Sequence, residues 1–248
     1  MNLPGALSIG GLALALFCTV TAVLAGLGSR WEWWHFRTGF QILTWAAYGG
    51  LTASVVSLAG FVIALISNLR RRLLPALIGL ALGLIVAGLP WQLKQTAQRV
   101  PPIHDITTDT ENPPAFVAVL PLRKEASNSA DYGGPEIAAQ QRAAYADVRP
   151  LILNVSPEEA FNKALEAARA LGWDIVDTNP AQGRIEATDT TFWFGFKDDI
   201  VVRVEPADQG SRIDARSVSR VGKSDIGTNA KRIRAYIERM TRTSASAP

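Results

Sequence analysis

Long uncharged apolar runs dominate the first ninety residues of the chain. Residues 3–28 contain no charged side chain, and two further uncharged runs cover about 39–68 and 73–91. At a rise of about 1.5 Å per residue, each run is long enough to cross roughly 30 Å of hydrocarbon. The pattern therefore predicts three transmembrane helices within residues 1–94. A cleaved signal peptide is the alternative for the first run, but no basic residue precedes it and it exceeds the usual apolar core of such peptides.

Arginine and tryptophan positions indicate which side of the membrane each helix end faces. The link between the second and third runs carries three consecutive arginines at residues 70–72. Short links rich in arginine stay in the cytoplasm, and tryptophans concentrate at the membrane interface. Four tryptophans fall at the ends opposite this link: Trp31, Trp33, Trp34 and Trp91. The sequence predicts a bacterial inner-membrane protein with a cytoplasmic N-terminus and a periplasmic C-terminal domain.

The three runs carry small residues rather than ionisable ones. No Asp, Glu, Lys, Arg or His lies within them, which disfavours a transporter or channel because those functions need charged groups at membrane depth. Small residues recur every four positions in the second and third runs: Gly49, Ala53 and Ser57, then Gly79, Gly83 and Ala87. Such ridges let helices approach closely in lipid, so they predict packing among the three helices. A contact face for a partner membrane protein is the alternative.

The pattern beyond the membrane runs predicts an α+β domain in two parts. Prolines interrupt residues 95–149, so we expect an extended segment that wraps the domain, with one short helix at 136–146. The core is expected at 150–242. It opens with a strand at 151–155 and a helix to residue 171, for which Ser156 and Glu159 form a capping box.

An antiparallel sheet is predicted for the rest of the core. Four strands with turns between them are expected at 173–178, 183–188, 200–205 and 212–219. The last strand alternates apolar and charged residues, which indicates one dry and one wet sheet face. A closing helix at 225–242 is expected to cover the dry face beside the first helix, and 243–248 is predicted to be a flexible tail.

Charge divides the chain in the same way as hydropathy. Residues 1–98 contain six Lys/Arg and one acidic residue, whereas the remainder contains 19 Lys/Arg and 21 Asp/Glu. The basic character therefore belongs to the membrane flanks and does not indicate a nucleic-acid surface. Cys18 is the only cysteine, which excludes an intrachain disulfide and a cysteine-based zinc site. No metal or other cofactor is predicted.

Five segments resemble a known family: residues 104–109, 111–114, 183–188, 192–199 and 214–234. Taken in order, they are similar to the uncharacterised family called domain of unknown function 1499, over roughly residues 101–240. The resemblance implies a membrane-tethered envelope or plastid domain. It implies no activity, substrate or catalytic residue.

A first group of candidate site residues lies shortly after the third membrane run. A histidine with nearby carboxylates, His104 with Asp105 and Asp109, can ligate a metal or act as acid and base. A catalytic zinc ion takes three protein ligands, and the only other histidine, His35, lies in the first loop. Turn and capping hydrogen bonds that attach the linker are the alternative reading.

A second group of candidates is ligand-binding. Arg203 and Arg216 share the expected wet face with other arginines, which suits an anionic ligand; cross-strand ion pairs with interleaved acidic residues are the alternative. Phe192, Phe194 and Phe196 alternate along an extended segment, which predicts an apolar patch or pocket, with core burial as the alternative.

These observations favour a non-enzymatic binding or assembly module of the cell envelope, with the bilayer and a membrane or periplasmic protein as partners. A lipid or apolar-ligand binding domain is a second possibility. A hydrolase using His104 and Asp105 is a third. The chain contains no nucleophile elbow, metalloprotease helix or dinucleotide fingerprint.

Overall fold

A computed structural model describes the backbone of residues 3–245 and the side chains of residues 5–242. The chain divides into two compact units. The first contains residues 1–96 together with Phe192–Gly195, and the second contains residues 97–191 and 196–248. Three long apolar helices precede a domain with an antiparallel sheet and helices, so the predicted α+β fold class is confirmed.

The first unit, called here the membrane unit, is built from three helices: α1 (Leu3–Arg30), α2 (Phe36–Ile66) and α3 (Arg70–Arg99). Each is long and apolar enough to cross a membrane, with a mean hydropathy of 2.1 to 2.3 over its most apolar window. Association with a bilayer follows directly, because lipid is the solvent that such surfaces require.

Small residues let these helices pack closely. A Cβ atom placed on Gly50 would lie 2.9 Å from the carbonyl oxygen of Gly83, and one on Gly79 would lie 2.9 Å from the backbone of Leu12. The Ser54 hydroxyl lies at the same contact and donates to the Gly50 carbonyl at 2.9 Å. Gly79 and Gly83 of the predicted ridges thus lie at helix contacts, where they meet Leu12 and Gly50.

The second unit contains a six-stranded antiparallel sheet: β1 (Asp105–Thr107), β2 (Leu151–Leu153), β3 (Asp174–Asn179), β4 (Arg184–Thr190), β5 (Lys197–Ala207) and β6 (Gly210–Ser219). The strand order is β1-β6-β5-β4-β3, and β2 also pairs with β6. Three helices complete the unit: α4 (Gly134–Ala144), α5 (Pro157–Ala170) and α6 (Thr228–Ala245). Short 3₁₀ turns occupy Leu120–Arg123 and Pro180–Gln182.

Helix α5 begins where its capping residues predict. The Ser156 hydroxyl accepts from the backbone N–H of Glu159 at 3.2 Å, which satisfies one of the free donors of the first turn. The Glu159 carboxylate does not complete the box, because it pairs with Lys163 at 2.9 Å. Gly172 ends the helix with a positive φ of 77°, a conformation that glycine adopts without strain.

Helices α5 and α6 cover one face of the sheet and form the main core. The rings of Trp173 and Tyr236 stack at a centroid distance of 5.0 Å. The Tyr236 hydroxyl donates to the carbonyl of Ala164 at 3.2 Å, so the most deeply buried ring also joins the two helices. Buried strand residues such as Ile200 and Ile213 complete this dry face.

The opposite face of the sheet is not wet, and that prediction is wrong. Asp214 and Arg216 lie on this face but are 0% and 3% exposed. The segment between β1 and α4 covers them, and its Phe116 and Val119 pack against apolar residues of the sheet. Charged residues are tolerated here because each is paired, as detailed below.

The ends of the closing helix also differ from the prediction. Asp225 lies before α6 rather than inside it, and its carboxylate accepts from the backbone N–H groups of Gly227 and Asn229. Ile226 and Gly227 have positive φ, so the chain cannot be helical before Thr228. The helix continues to Ala245, whereas residues 246–248 of the predicted tail lie outside the described part of the chain.

Candidate functional site

Strand β1 brings Asp105 onto the charged face of the sheet. The two carboxylate oxygens of Asp105 accept from Nε and Nη2 of Arg216 at 3.0 and 2.7 Å. His104 is half-buried, and its Nδ1 lies 3.4 Å from the carbonyl oxygen of Lys223. The backbone carbonyl of His104 accepts from Ser219 and Asn229. Hydrogen bonds therefore attach both residues to the end of β6 and the start of α6.

All three guanidinium nitrogens of Arg216 donate hydrogen bonds to neighbouring residues. Beyond Asp105, its guanidinium donates to two backbone carbonyls, those of Pro114 at 3.1 Å and Ala130 at 2.7 Å. The same group lies 5.0 Å from the ring centroid of Phe116 and 5.5 Å from that of Tyr132. Arg216 is therefore held by a carboxylate, two backbone carbonyls and two aromatic faces. Its role is structural, and its guanidinium is not available to bind an anionic ligand.

The environment of Arg216 and Asp105 also changes the pKa of the neighbouring Tyr132. Burial, and then the negative charge of Asp105, raise the pKa of Tyr132 to about 12, although Arg216 opposes the shift. The phenol therefore stays protonated at any physiological pH.

Asp109 and Asp214 form a second cluster with two arginines. Asp109 Oδ2 accepts from Arg203 at 3.0 Å and from Arg212 at 2.9 Å. Asp214 Oδ2 accepts from the same two guanidiniums at 3.0 and 2.8 Å. Burial alone raises the pKa of Asp109, but two backbone hydrogen bonds and the adjacent arginines outweigh it and hold the pKa below its ordinary value. Alternating charges thus neutralise one another within the protein.

Asp199 is the centre of a third cluster and is fully buried. It accepts from Arg123, from Arg220 at 2.8 and 2.9 Å, and from the hydroxyl of Thr188 at 2.7 Å. Burial raises the pKa of Asp199, yet the hydrogen bonds from Arg220 and Thr188 and the arginine charges bring it below its ordinary value. The hydrogen-bond donors around Asp199 therefore favour its ionised form.

Glu186 is a fourth buried acidic residue with several partners. It binds the backbone of the segment between β1 and α4 that covers the sheet. Its fully buried carboxylate accepts from three consecutive backbone N–H groups, those of Val117, Ala118 and Val119, at 2.9 to 3.1 Å. Arg184 pairs with the same carboxylate at 2.9 Å. The sequence pattern indicates interleaved acidic residues on this face but singles out neither Glu186 nor Asp199. Both lie in segments that carry the family resemblance, which was the available signal.

The Phe192–Phe196 stretch is not the extended segment that the sequence predicts. It forms the tip of the β4–β5 hairpin, closed by a bond from the Thr191 backbone N–H to the Phe196 carbonyl at 2.8 Å. A turn at residues 192–194 breaks the alternation of sides, and Gly195 follows it with a φ of 70°. Phe192 is 82% exposed whereas Phe194 is 7% exposed. The three phenylalanines therefore do not line one surface.

The tip residues Phe192–Gly195, called here the hairpin tip, belong to the membrane unit. The indole N–H of Trp193 donates to the carbonyl of Val23 in α1 at 3.1 Å. The Phe194 ring lies 4.8 Å from that of Phe40 in α2. The Arg30 side chain donates to the Phe192 carbonyl at 3.0 Å. The hairpin tip is thus part of the helix packing at the ends of α1 and α2.

Sequence candidates are therefore distributed over both units. Asp105 is joined to Arg216 and Asp109 to Arg203, whereas Phe192 and Phe194 lie in the membrane unit. No group of three or more His, Cys, Asp or Glu residues arranged for a metal ion occurs within residues 3–245.

One cavity of about 260 Å³ lies in the second unit, between the end of β1 and α4. Its lining includes Gln141, but both ends of that amide already bond the backbone of Thr107. Arg142 at its rim pairs with Glu111 at 3.1 Å. The volume is below the usual range of small-molecule sites, and the Gln141 and Arg142 side chains are bound to other residues.

The family model described as protein of unknown function (DUF1499) matches residues 105–240. The chain belongs to this family. The matched residues run from β1 to the last turns of α6, so they include the ion-pair clusters described above and the hairpin tip. No curated protein matches the chain.

Proposed function

We propose that this DUF1499 protein is a non-enzymatic binding or assembly module of the bacterial cell envelope, anchored in the inner membrane with its DUF1499 domain in the periplasm. The proposal rests mainly on one observation: the acidic and basic residues in the family segments are buried and paired with one another. Asp105, Asp199 and Asp214 are buried and paired, so they stabilise the domain instead of facing a substrate.

General acid–base chemistry requires a group within hydrogen-bond reach of the reacting atom. Asp105 is buried and presents both carboxylate oxygens to Arg216, so neither oxygen faces a bound substrate. A buried framework of this kind supports a surface of fixed shape, which is what a binding module needs.

The membrane side of the DUF1499 domain is proposed from charge and aromatic residues. Arg70 and Arg71 are exposed at the α2–α3 link, as are Trp31 and Trp33 at the end of α1. The first pair favours the cytoplasmic side and the second marks an interface. A phosphatase reporter fused after Pro248 is expected to be active, and a reporter that works only in the cytosol would invert the assignment.

Partner binding is tested by affinity capture of the tagged full chain in mild detergent at native expression. We expect a protein partner to be recovered at a fixed ratio, and a lone monomer contradicts the proposal. His104→Ala serves as the matched variant, because the side-chain hydrogen bond of His104 within residues 5–242 is a long one, at 3.4 Å to the Lys223 carbonyl. Unchanged capture and unchanged cellular phenotypes support the module, whereas loss of phenotype in a folded His104→Ala protein favours hydrolysis.

A further inference from the structure

Three apolar side chains protrude from the segment that covers the charged sheet face. Val117, Leu120 and Leu122 are 51%, 45% and 54% exposed, and we call them the apolar strip. Their neighbours Val119 and Arg123 point inward and are buried. Among the described residues of the second unit, Ile152 is the other exposed large aliphatic residue.

The apolar strip cannot turn inward, because the backbone beneath it is fixed. Glu186 holds the N–H groups of residues 117–119, and Asp199 holds the side chain of Arg123. The exposure of these side chains is therefore imposed by buried ion pairs. A fixed apolar protrusion from a polar surface marks a contact site.

Hydrogen bonds place Leu122 at the end of the sheet from which the hairpin tip departs. The Leu122 carbonyl accepts from Arg220 at 3.0 Å, and the Arg220 backbone N–H donates to the Lys197 carbonyl at 3.0 Å. Lys197 follows Gly195 by two residues, and Gly195 belongs to the membrane unit. This end of the sheet is therefore the one at which the chain passes between the strands and the hairpin tip.

Charge around Leu122 fits a lipid surface better than an apolar protein groove. Lys124 and Lys197 are exposed beside it, against one exposed acid, Glu125. Apolar side chains flanked by lysines are typical of segments that insert into the headgroup region, where lysines meet lipid phosphates.

We propose that the apolar strip is a lipid-contact site, through which the DUF1499 domain inserts leucine side chains into the headgroup region of a phospholipid bilayer. The site is separate from the proposed partner binding and does not depend on it. Its ligand is a phospholipid surface, with the leucines in the acyl boundary and the lysines at the phosphates.

The test uses the full chain in nanodiscs of phosphatidylethanolamine and phosphatidylglycerol. Cys18→Ala removes the single native thiol, and Leu122→Cys or Ile152→Cys then carries an environment-sensitive fluorophore. Ile152 is the matched control because it is also 54% exposed. It pairs with Arg212, seven residues from the Ser219 end of β6 and so about 23 Å away along the strand.

Nitroxide-labelled lipids are expected to quench the fluorophore at position 122 at least about twofold more than that at 152, as for residues about 5–10 Å into the headgroup boundary. Equal quenching at the two positions overturns the proposal. Shielding of position 122 from an aqueous quencher without quenching by lipid also overturns it, since a protein surface would then cover the strip.

Discussion

Trp193 and Val23 are joined by a hydrogen bond although 170 residues separate them along the chain. Val23 lies seven residues before Arg30, the last residue of α1, and therefore about 10 Å from that helix end. An indole N–H placed at that depth has few alternative partners, since lipid offers none. The hairpin tip is thus a structural component of the membrane unit and explains why an aromatic run occurs between two strands of the DUF1499 domain.

Replacing Trp193 by Ala is expected to destabilise the membrane unit by about 2–3 kcal/mol, because a large ring and its hydrogen bond are lost together. Thermal unfolding of the full chain in mild detergent measures the change. Trp193→Phe keeps most of the ring and is expected to lose only about 1 kcal/mol. Equal losses for the two variants would show that the ring itself contributes nothing.

Gly26 provides a steric test of the same contact. A Cβ atom at Gly26 would collide with the indole of Trp193, so Gly26→Ala is expected to lower the unfolding temperature. Gly10 lies in the same helix with nothing within 4 Å of an added Cβ atom. Gly10→Ala is therefore the control and is expected to be neutral or slightly stabilising, since alanine favours helix. Similar behaviour of the two alanine variants would argue against close Trp193 packing.

Asp199→Asn removes the charge that holds two arginines in the domain interior. Because Arg123 and Arg220 would remain buried without their carboxylate, the free energy of unfolding is expected to fall by about 3–5 kcal/mol. Asp208→Asn, at an exposed position in the β5–β6 turn, is expected to change it by less than about 0.5 kcal/mol. Denaturant unfolding of the full chain in detergent compares them, and a mild Asp199→Asn phenotype would contradict the structural role.

Acid stability is expected to depend on Asp109. Its pKa is lowered in the folded state, so its contribution is complete above the ordinary value of 3.8 and is lost as the pH falls through the lowered pKa. Asp109→Asn should therefore be less stable at pH 7 and show a flatter decline below pH 4 than the wild type. Unfolding temperatures measured from pH 7 to pH 3 give both curves. Parallel curves would show that Asp109 does not couple protonation to folding.

The membrane helices and α5 could be predicted because their signals are local. An uncharged run of about twenty residues has few stable alternatives to a membrane helix. Ser156 likewise determines the start of α5 through a bond that spans only three residues. These elements are determined by residues that are close together in sequence, and such local patterns can be recognised in a single sequence.

Strand β1 and the covered sheet face could not be predicted because their partners are distant. Asp105 pairs with Val218, more than a hundred residues away, and three residues alone give no strand periodicity. The alternation around Asp214 correctly marks two faces, but it cannot show that another segment covers one of them. A turn at residues 192–194 separates the surroundings of Phe192 and Phe194, and a pattern of apolar residues does not encode that turn.

Strand β6 is the shared partner of β1, β2 and β5. While the ribosome is still adding residues before Gly210, the two early strands have no backbone to pair with. Completion of the domain is therefore a late event in biogenesis, because the sequence-distant pairings wait for the last strand. A nascent chain arrested before Gly210 would keep β1 and β2 open to proteases, however complete its membrane helices were.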